Sequence, residues 1–274
     1  MSAAPAAPRA AWADPRAAAG FARTLLARIG ALCLVEVQRL RHDRSELYTR
    51  AIQPALWLVI FGVTFNRLHA IPTGNLPYLD FLAPGVLAQS ALFISIFYGI
   101  QIIWERDAGV LAKLLVTPTP RAALIAGKAF AAGIRAFSQV IVVLLLSALL
   151  GVGLTTDPLR LAAAALAVWL AAAFFSCLSM SIAGIVLKRE RLVGIGQAIM
   201  MPLFFASNAL YPVSVMPGWL QAVSKVNPLS YEVDALRGLL VGTHAHLVAD
   251  FVVLPLAAVV GIGVAASLLE RLAR

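Results

Sequence analysis

The feature that most constrains this chain is a succession of long apolar blocks separated by short clusters of Arg and Lys. A helix needs about 20 mostly apolar residues to cross a bilayer, and the blocks meet that length. A composition that is 61% hydrophobic and 13% charged leaves too few polar residues to cover a water-soluble globule. Disorder over the whole chain is excluded for the same reason, since disordered chains are poor in apolar residues. The two cysteines, Cys33 and Cys177, build no disulfide framework.

Six blocks read as spans: Ala51 to Leu68, Phe81 to Ile103, Ala122 to Leu154, Leu159 to Leu187, Leu192 to Tyr211 and Leu247 to Leu269. None alternates apolar with polar residues, so the expected class is an all-α integral membrane protein and not a β-barrel. The net charge of +9 would suggest nucleic acid in a soluble protein. Here 18 of the 22 basic residues fall in residues 1–50, around 106–135, at 188–191 and at the C-terminus. Only Arg67, Arg160, Lys225 and Arg237 fall in the alternate connections. Such an asymmetry places both termini in the cytoplasm, which agrees with an even number of spans.

Residues 1–20, rich in Ala, Pro and Arg, read as a disordered tail; they carry no apolar core ahead of a cleavage site and so no signal peptide. In residues 21–41, Leu26, Ile29, Cys33, Val37 and Leu40 share one helical face opposite Thr24, Arg28 and Arg39. This pattern predicts an amphipathic helix on the cytoplasmic surface; a cytoplasmic start to the first span is the alternative. Between the second and third spans, Trp104, Ala108, Leu111 and Leu115 fall on one stripe of a helix over 104–116. Glu105, Arg106, Asp107 and Lys113 lie off that stripe. The prolines of Thr117-Pro118-Thr119-Pro120 stop it before Arg121. The segment suits docking onto a cytoplasmic partner or, alternatively, a plain surface helix.

The outer connection, about Pro212 to His246, is long but not hydrophilic. Met216-Pro217-Gly218-Trp219-Leu220 reads as a turn with an interfacial aromatic. Asn227-Pro228 signals a helix start, with Asn as cap and Pro in the first helical position. The helix that follows carries Glu232, Asp234 and Arg237 and fits an element dipping into the outer leaflet against protein; an ordinary extracellular surface helix is the alternative. Inside the spans stand Gln89, Gln101, Arg135, Gln139, Gln197, Asn208 and Asp250. Such groups line a path or join helices. Arg135 needs an acidic, backbone or phosphate partner, and Asp250 sits near the outer boundary, where water can reach it. Gly261 with Ala265 and Gly263 with Ser267 permit close packing of the last span.

No phosphate-binding G-x-x-x-x-G-K-[ST] loop, zinc-binding H-E-x-x-H or G-x-S-x-G elbow is present. His244 and His246 have no third ligand beside them. The chain is therefore expected to carry no catalytic or metal site and no cofactor of its own. An intramembrane enzyme would need an acid, base or metal constellation. A secondary transporter or channel would show an inverted repeat or paired midplane charges.

Taken together, these segments resemble the membrane subunit of type-2 ABC exporters, in particular the daunorubicin-resistance permeases and the nodulation lipo-oligosaccharide exporter permease. The resemblance rests on Gln53-Pro54, Phe61-Gly62, Trp104 to Gly109, Leu114 to Pro118, Arg121, Gly127-Lys128, Ser207 to Pro212, Met216 to Leu220 and Asn227 to Tyr231. It implies that residues 21–274 are one type-2 ABC transmembrane domain with six spans, working as two copies. Each copy would dock on a separate ATPase holding ATP and Mg²⁺, in a bacterial plasma membrane. The coupling helix would comprise Trp104, Glu105, Arg106, Asp107, Gly109, Leu111, Lys113 and Leu114, ending at Pro118 and Arg121. Gln89, Gln101, Arg135, Gln139, Gln197 and Asn208 would line the pathway or join helices. Met216, Trp219, Asn227, Glu232, Asp234 and Arg237 would belong to outer re-entrant helices that gate it. The implied cargo is an amphiphile: a drug or antibiotic, a lipid-like molecule, or a lipid-linked oligosaccharide.

Overall fold

A computed structural model describes residues 27, 29–38, 42, 44–68, 71–74, 76–116 and 120–273. The expected tail 1–20 and the stop residue Pro118 lie outside the described residues. Those described form an all-α membrane protein with no strand among them. Helix α1 is Ile29–Gln38. The first span is assembled from α2 (Arg44–Leu56), a π-helical stretch Trp57–Gly62 and α3 (Val63–Leu68). The π stretch begins just after Pro54, which cannot donate to the helical ladder. Then follow α4 (Tyr78–Asp107), α5 (Val110–Val116), α6 (Arg121–Leu149), α7 (Pro158–Val186) and α8 (Arg189–Phe205). Beyond them lie α9 (Gly218–Val226), α10 (Pro228–Leu240) and α11 (Leu247–Ala273).

Among the described residues five helices are long and apolar enough to cross a membrane: Thr49–Leu68, α4, α6, α7 and Leu247–Leu269 of α11. The remaining expected span, Leu192 to Tyr211, differs. Its helix α8 has 17 residues, about 25 Å at 1.5 Å per residue, and stops at Phe205. Residues 206–210 continue as buried non-helical backbone. Polar groups satisfy that backbone. The Ala206 amide donates to the Pro202 carbonyl, the Ala209 amide to Ser207 Oγ and the Tyr78 hydroxyl to the Leu210 carbonyl. Irregular backbone at such depth is tolerated where protein covers it. Together α8 and this turn run antiparallel along α4, from Arg189 beside Trp104, past Gly196 beside Ile100, to Ala209 against Gly85.

Helix α7 is the hub, packed on α4, α6, α10 and α11. Small residues let these helices approach. A Cβ on Gly99 would lie 2.4 Å from Ser179 Cβ, and Ser179 Oγ donates to the Ile96 carbonyl at 2.7 Å. Gly261 lies against Cys177 and Phe174, and Ala265 is buried, whereas Gly263 and Ser267 face outward. Of the two small-residue pairs in the last span, only the first is used in packing. Asp157 and Asn227 each cap a helix that opens on Pro, their Oδ1 atoms accepting from the Leu159 and Leu229 amides.

The chain brings α1, α5, the α7–α8 turn and the end of α11 to one end of the bundle, the Arg- and Lys-rich one. The α6–α7 connection, α9 and α10 lie at the other, where the Thr155 amide donates to the Leu240 carbonyl.

Candidate functional site

At the basic end, the expected helix over 104–116 is broken in two. Trp104 to Asp107 form the last turn of α4. The chain then reverses at Gly109, whose φ of +69° suits glycine, and α5 begins. Trp104 and Leu111 therefore share no stripe: Trp104 is 48% exposed and Leu111 is 1% exposed. Leu114 packs on the core with Leu111, and Lys113 is exposed. Arg121 opens α6 on the exposed side. The charged residues turn back onto the bundle. Glu105 pairs with the buried Lys128 of α6. Arg106 donates to Asp107 Oδ1 through Nε (3.0 Å) and Nη2 (2.9 Å), and Nη2 also donates to the Leu187 carbonyl at 3.0 Å. Leu187 is the one non-glycine residue with positive φ among those described (+57°), a conformation that costs an L-residue about 1–2 kcal/mol. The Arg189 guanidinium lies 4.5 Å from the Trp104 ring centroid, within cation–π range. The end of α4 is thus tied to α6 by one ion pair and to the α7–α8 turn by a hydrogen bond and a cation–π contact.

Arg135 finds its acidic partner in Glu36 of α1. The Tyr98 hydroxyl also reaches Glu36 (3.4 Å), and the Arg135 guanidinium lies 5.2 Å from the Tyr98 ring centroid. Gly127 lets α1 lie against α6, since a Cβ there would meet Leu32. The described part of α1 is thereby seated on α4 and α6, with Ile29, Cys33 and Val37 half-buried.

At the opposite end, Asn227 Nδ2 donates to the Leu203 carbonyl at 2.7 Å, which ties α10 to α8. Arg237 is buried. It donates to the Asn208 carbonyl at 2.8 Å and to the Phe81 carbonyl at 3.3 Å, with its guanidinium 3.7 Å from the Phe81 ring centroid. Three segments, α10, the 206–210 turn and the start of α4, meet on this one side chain. Glu232 is 0% exposed, and neither carboxylate oxygen has a hydrogen-bond partner among the described residues. Burial pushes its carboxyl well above the ordinary range. Asp234 Oδ2 accepts from the His246 amide at 3.0 Å. Met216 is buried, whereas Trp219 is 70% exposed and lines a surface cavity together with Leu203, Tyr211 and Asn227. Asp250, expected near water, is 1% exposed, because α10 packs on α11 at that level.

The polar span residues do not form one lining. Gln89 and Asn208 are buried, Gln139 is buried between α2 and α6, Gln101 is half-buried and Gln197 is exposed on α8. Among the described residues no three His, Cys, Asp or Glu side chains gather closely enough to hold a metal.

Residues 27–241, most of this bundle, match the family described as ABC-2 type transporter. The chain belongs to that family. Its relatives include the putative transport permease ycf38 of Cyanophora paradoxa, 32% identical over 73% of this chain and 69% of the relative. The daunorubicin resistance ABC transporter permease protein DrrB1 of Streptomyces coeruleorubidus is 26% identical over 74% of this chain and 71% of its own. Nodulation protein J of Rhizobium meliloti is 25% identical over 69% and 72%. This ABC-2 protein is therefore a multi-pass permease subunit, and its family implies a partnering ABC ATPase. The groups that sequence reasoning missed in the permease are Glu36, Tyr98, Leu187, Arg189 and Phe81. Only Glu36 left a signal, as a lone acid near the apolar face of α1. The others act through backbone carbonyls, rings or turns that have no sequence signature.

Proposed function

We propose that this permease is the membrane half of an ATP-driven exporter of an amphiphile, either a drug or antibiotic or a lipid-like molecule. It works as two copies with two copies of a separate ATPase, in a bacterial inner membrane with both termini in the cytoplasm. The observation that carries this reading is the junction at the basic end. A push on the end of α4 would pass to α6 through Glu105–Lys128, and to the α7–α8 turn through Arg106–Leu187 and Trp104–Arg189. From there α8 leads to the 206–210 turn and Arg237 at the far end. ATP and Mg²⁺ act on the partner, and the nucleotide shifts the permease only as far as it favours one conformation over the other. The relative named for daunorubicin resistance supports an aromatic amphiphile as cargo.

The test is co-expression with a candidate ABC ATPase, followed by ATP-dependent daunorubicin uptake into inverted vesicles. Glu105→Lys, Arg106→Glu and Asp107→Lys together are expected to lower uptake at least tenfold while the chain still inserts. Uptake that continues without any ATPase, or that the triple substitution leaves unchanged, overturns the reading.

A further inference from the structure

Between α2, α4 and α6 lies a cavity of about 260 Å³ whose lining includes Arg50, Gln53, Ser90, Phe93, Phe97 and Gln139. Its mouth opens on the bundle surface, because Gln53 and Phe97 are exposed. Gln139 is 1% exposed, and its Nε2 donates to the Arg50 carbonyl at 3.2 Å. A carbonyl only accepts, so this bond fixes which amide atom is which. Oε1 is left buried with no donor among the described residues. A buried acceptor is normally satisfied, and an exception calls for a ligand or water. Ser90 Oγ gives its proton to the Val86 carbonyl at 2.8 Å and keeps its lone pairs for a second contact. Phe93 and Phe97 supply an aromatic wall.

The cavity sits where polarity changes. Gln139 lies one turn from Arg135, which pairs with Glu36, and Phe97 adjoins Tyr98 of the same cluster. A molecule bound here has a charged layer on one side and apolar helix surface on the other.

We propose that this cavity binds an amphiphile whose apolar body carries hydroxyl or ammonium donors, with Gln139 Oε1 accepting from it and Phe93 and Phe97 packing on it. The proposal rests on the export reading and narrows its cargo class. A lipid headgroup with the same donors is the other source of this chemistry.

The full chain with its ATPase, in phosphatidylcholine nanodiscs, provides the test. Two fluorescent probes are titrated: daunorubicin, which carries hydroxyl and ammonium donors, and pyrene, which carries none. Gln139→Leu is expected to weaken daunorubicin at least fivefold and to change pyrene less than twofold, whereas Phe97→Ala weakens both. Equal effects of Gln139→Leu on the two probes, or no effect on daunorubicin, overturn the proposal. A second variant guards against misfolding: Phe97→Cys, with Cys33 and Cys177 replaced by Ala. Daunorubicin should slow its maleimide labelling at least fivefold, and labelling at the same rate with and without the drug counts against the site. Repeating the titration in phosphatidylethanolamine separates the sources: competition there assigns the cavity to headgroups, and unchanged affinity assigns it to cargo. The ATPase rate of the same particles distinguishes the two readings. Coupled ATPase without the probe discrimination removes the cavity alone, and an ATPase that ignores the permease removes the export reading.

Discussion

Arg135 and Glu36 lie 99 positions apart in the chain and form an ion pair in which both side chains are largely buried. Removing one partner of such a pair leaves a charge uncompensated, at a cost of about 3–5 kcal/mol, whereas replacing both with apolar residues is often close to neutral. Glu36→Ala is therefore expected to lower the thermal unfolding temperature in detergent markedly. Glu36→Leu combined with Arg135→Met should recover most of the loss, a non-additivity that scanning fluorimetry measures directly. Glu232 is expected to behave in the opposite sense. Its folded carboxyl is held above the ordinary value of 4.5, so the native state keeps a proton that the unfolded state releases. Stability then falls as pH rises above that value. Glu232→Gln should flatten this slope and raise the unfolding temperature at pH 8 by about 2–4 °C, roughly what 1 kcal/mol yields in a chain of this size. An unchanged slope would place the proton elsewhere.

At the scale of elements, close approach governs the bundle. The Trp169 indole donates to the Phe130 carbonyl at 2.8 Å and lies where a Cβ on Gly133 would be, 1.5 Å from its Cδ1. Gly133→Ala must expel the indole and break that bond. The expected cost is about 1–3 kcal/mol, with a red shift in tryptophan emission as the check. The helices themselves were largely legible beforehand, because the length of an apolar block translates directly into a helix across the bilayer. The segment after the second span was not. Its stripe of Trp104, Ala108, Leu111 and Leu115 ignores that Gly109 can take a left-handed turn, which ends α4 and starts α5 on a new axis. The short α8 was also hidden, since the apolar residues on both sides of Ser207 and Asn208 carried the helical reading through a stretch that the structure shows as a turn.

For the whole molecule, the basic clusters gather at one end of the bundle, which the proposed topology makes the cytoplasmic end. In a chain lacking Cys33 and Cys177, a cysteine at Lys225 should react with a membrane-impermeant maleimide on intact cells. One at Lys113 should react only after the cells are opened. The reverse pattern would invert the orientation and with it the export reading. The ties from α4 to α6 and to the α7–α8 turn join these helices at the basic end.

What the amino-acid order determined by itself was the class of protein, nearly all the spans, the capped start of α10, and the clustering of the charge between alternate spans. These are local properties: hydrophobic length, proline and asparagine chemistry, and counts of Lys and Arg. The tertiary structure decided which charges meet. Glu36 reaches Arg135, Arg106 reaches the Leu187 carbonyl, Arg237 gathers two carbonyls from distant segments, and Glu232 is left with no hydrogen-bond partner among the described residues. Such pairings depend on where whole helices lie against one another, and a backbone carbonyl or a ring face recruited as a partner carries no mark in the sequence.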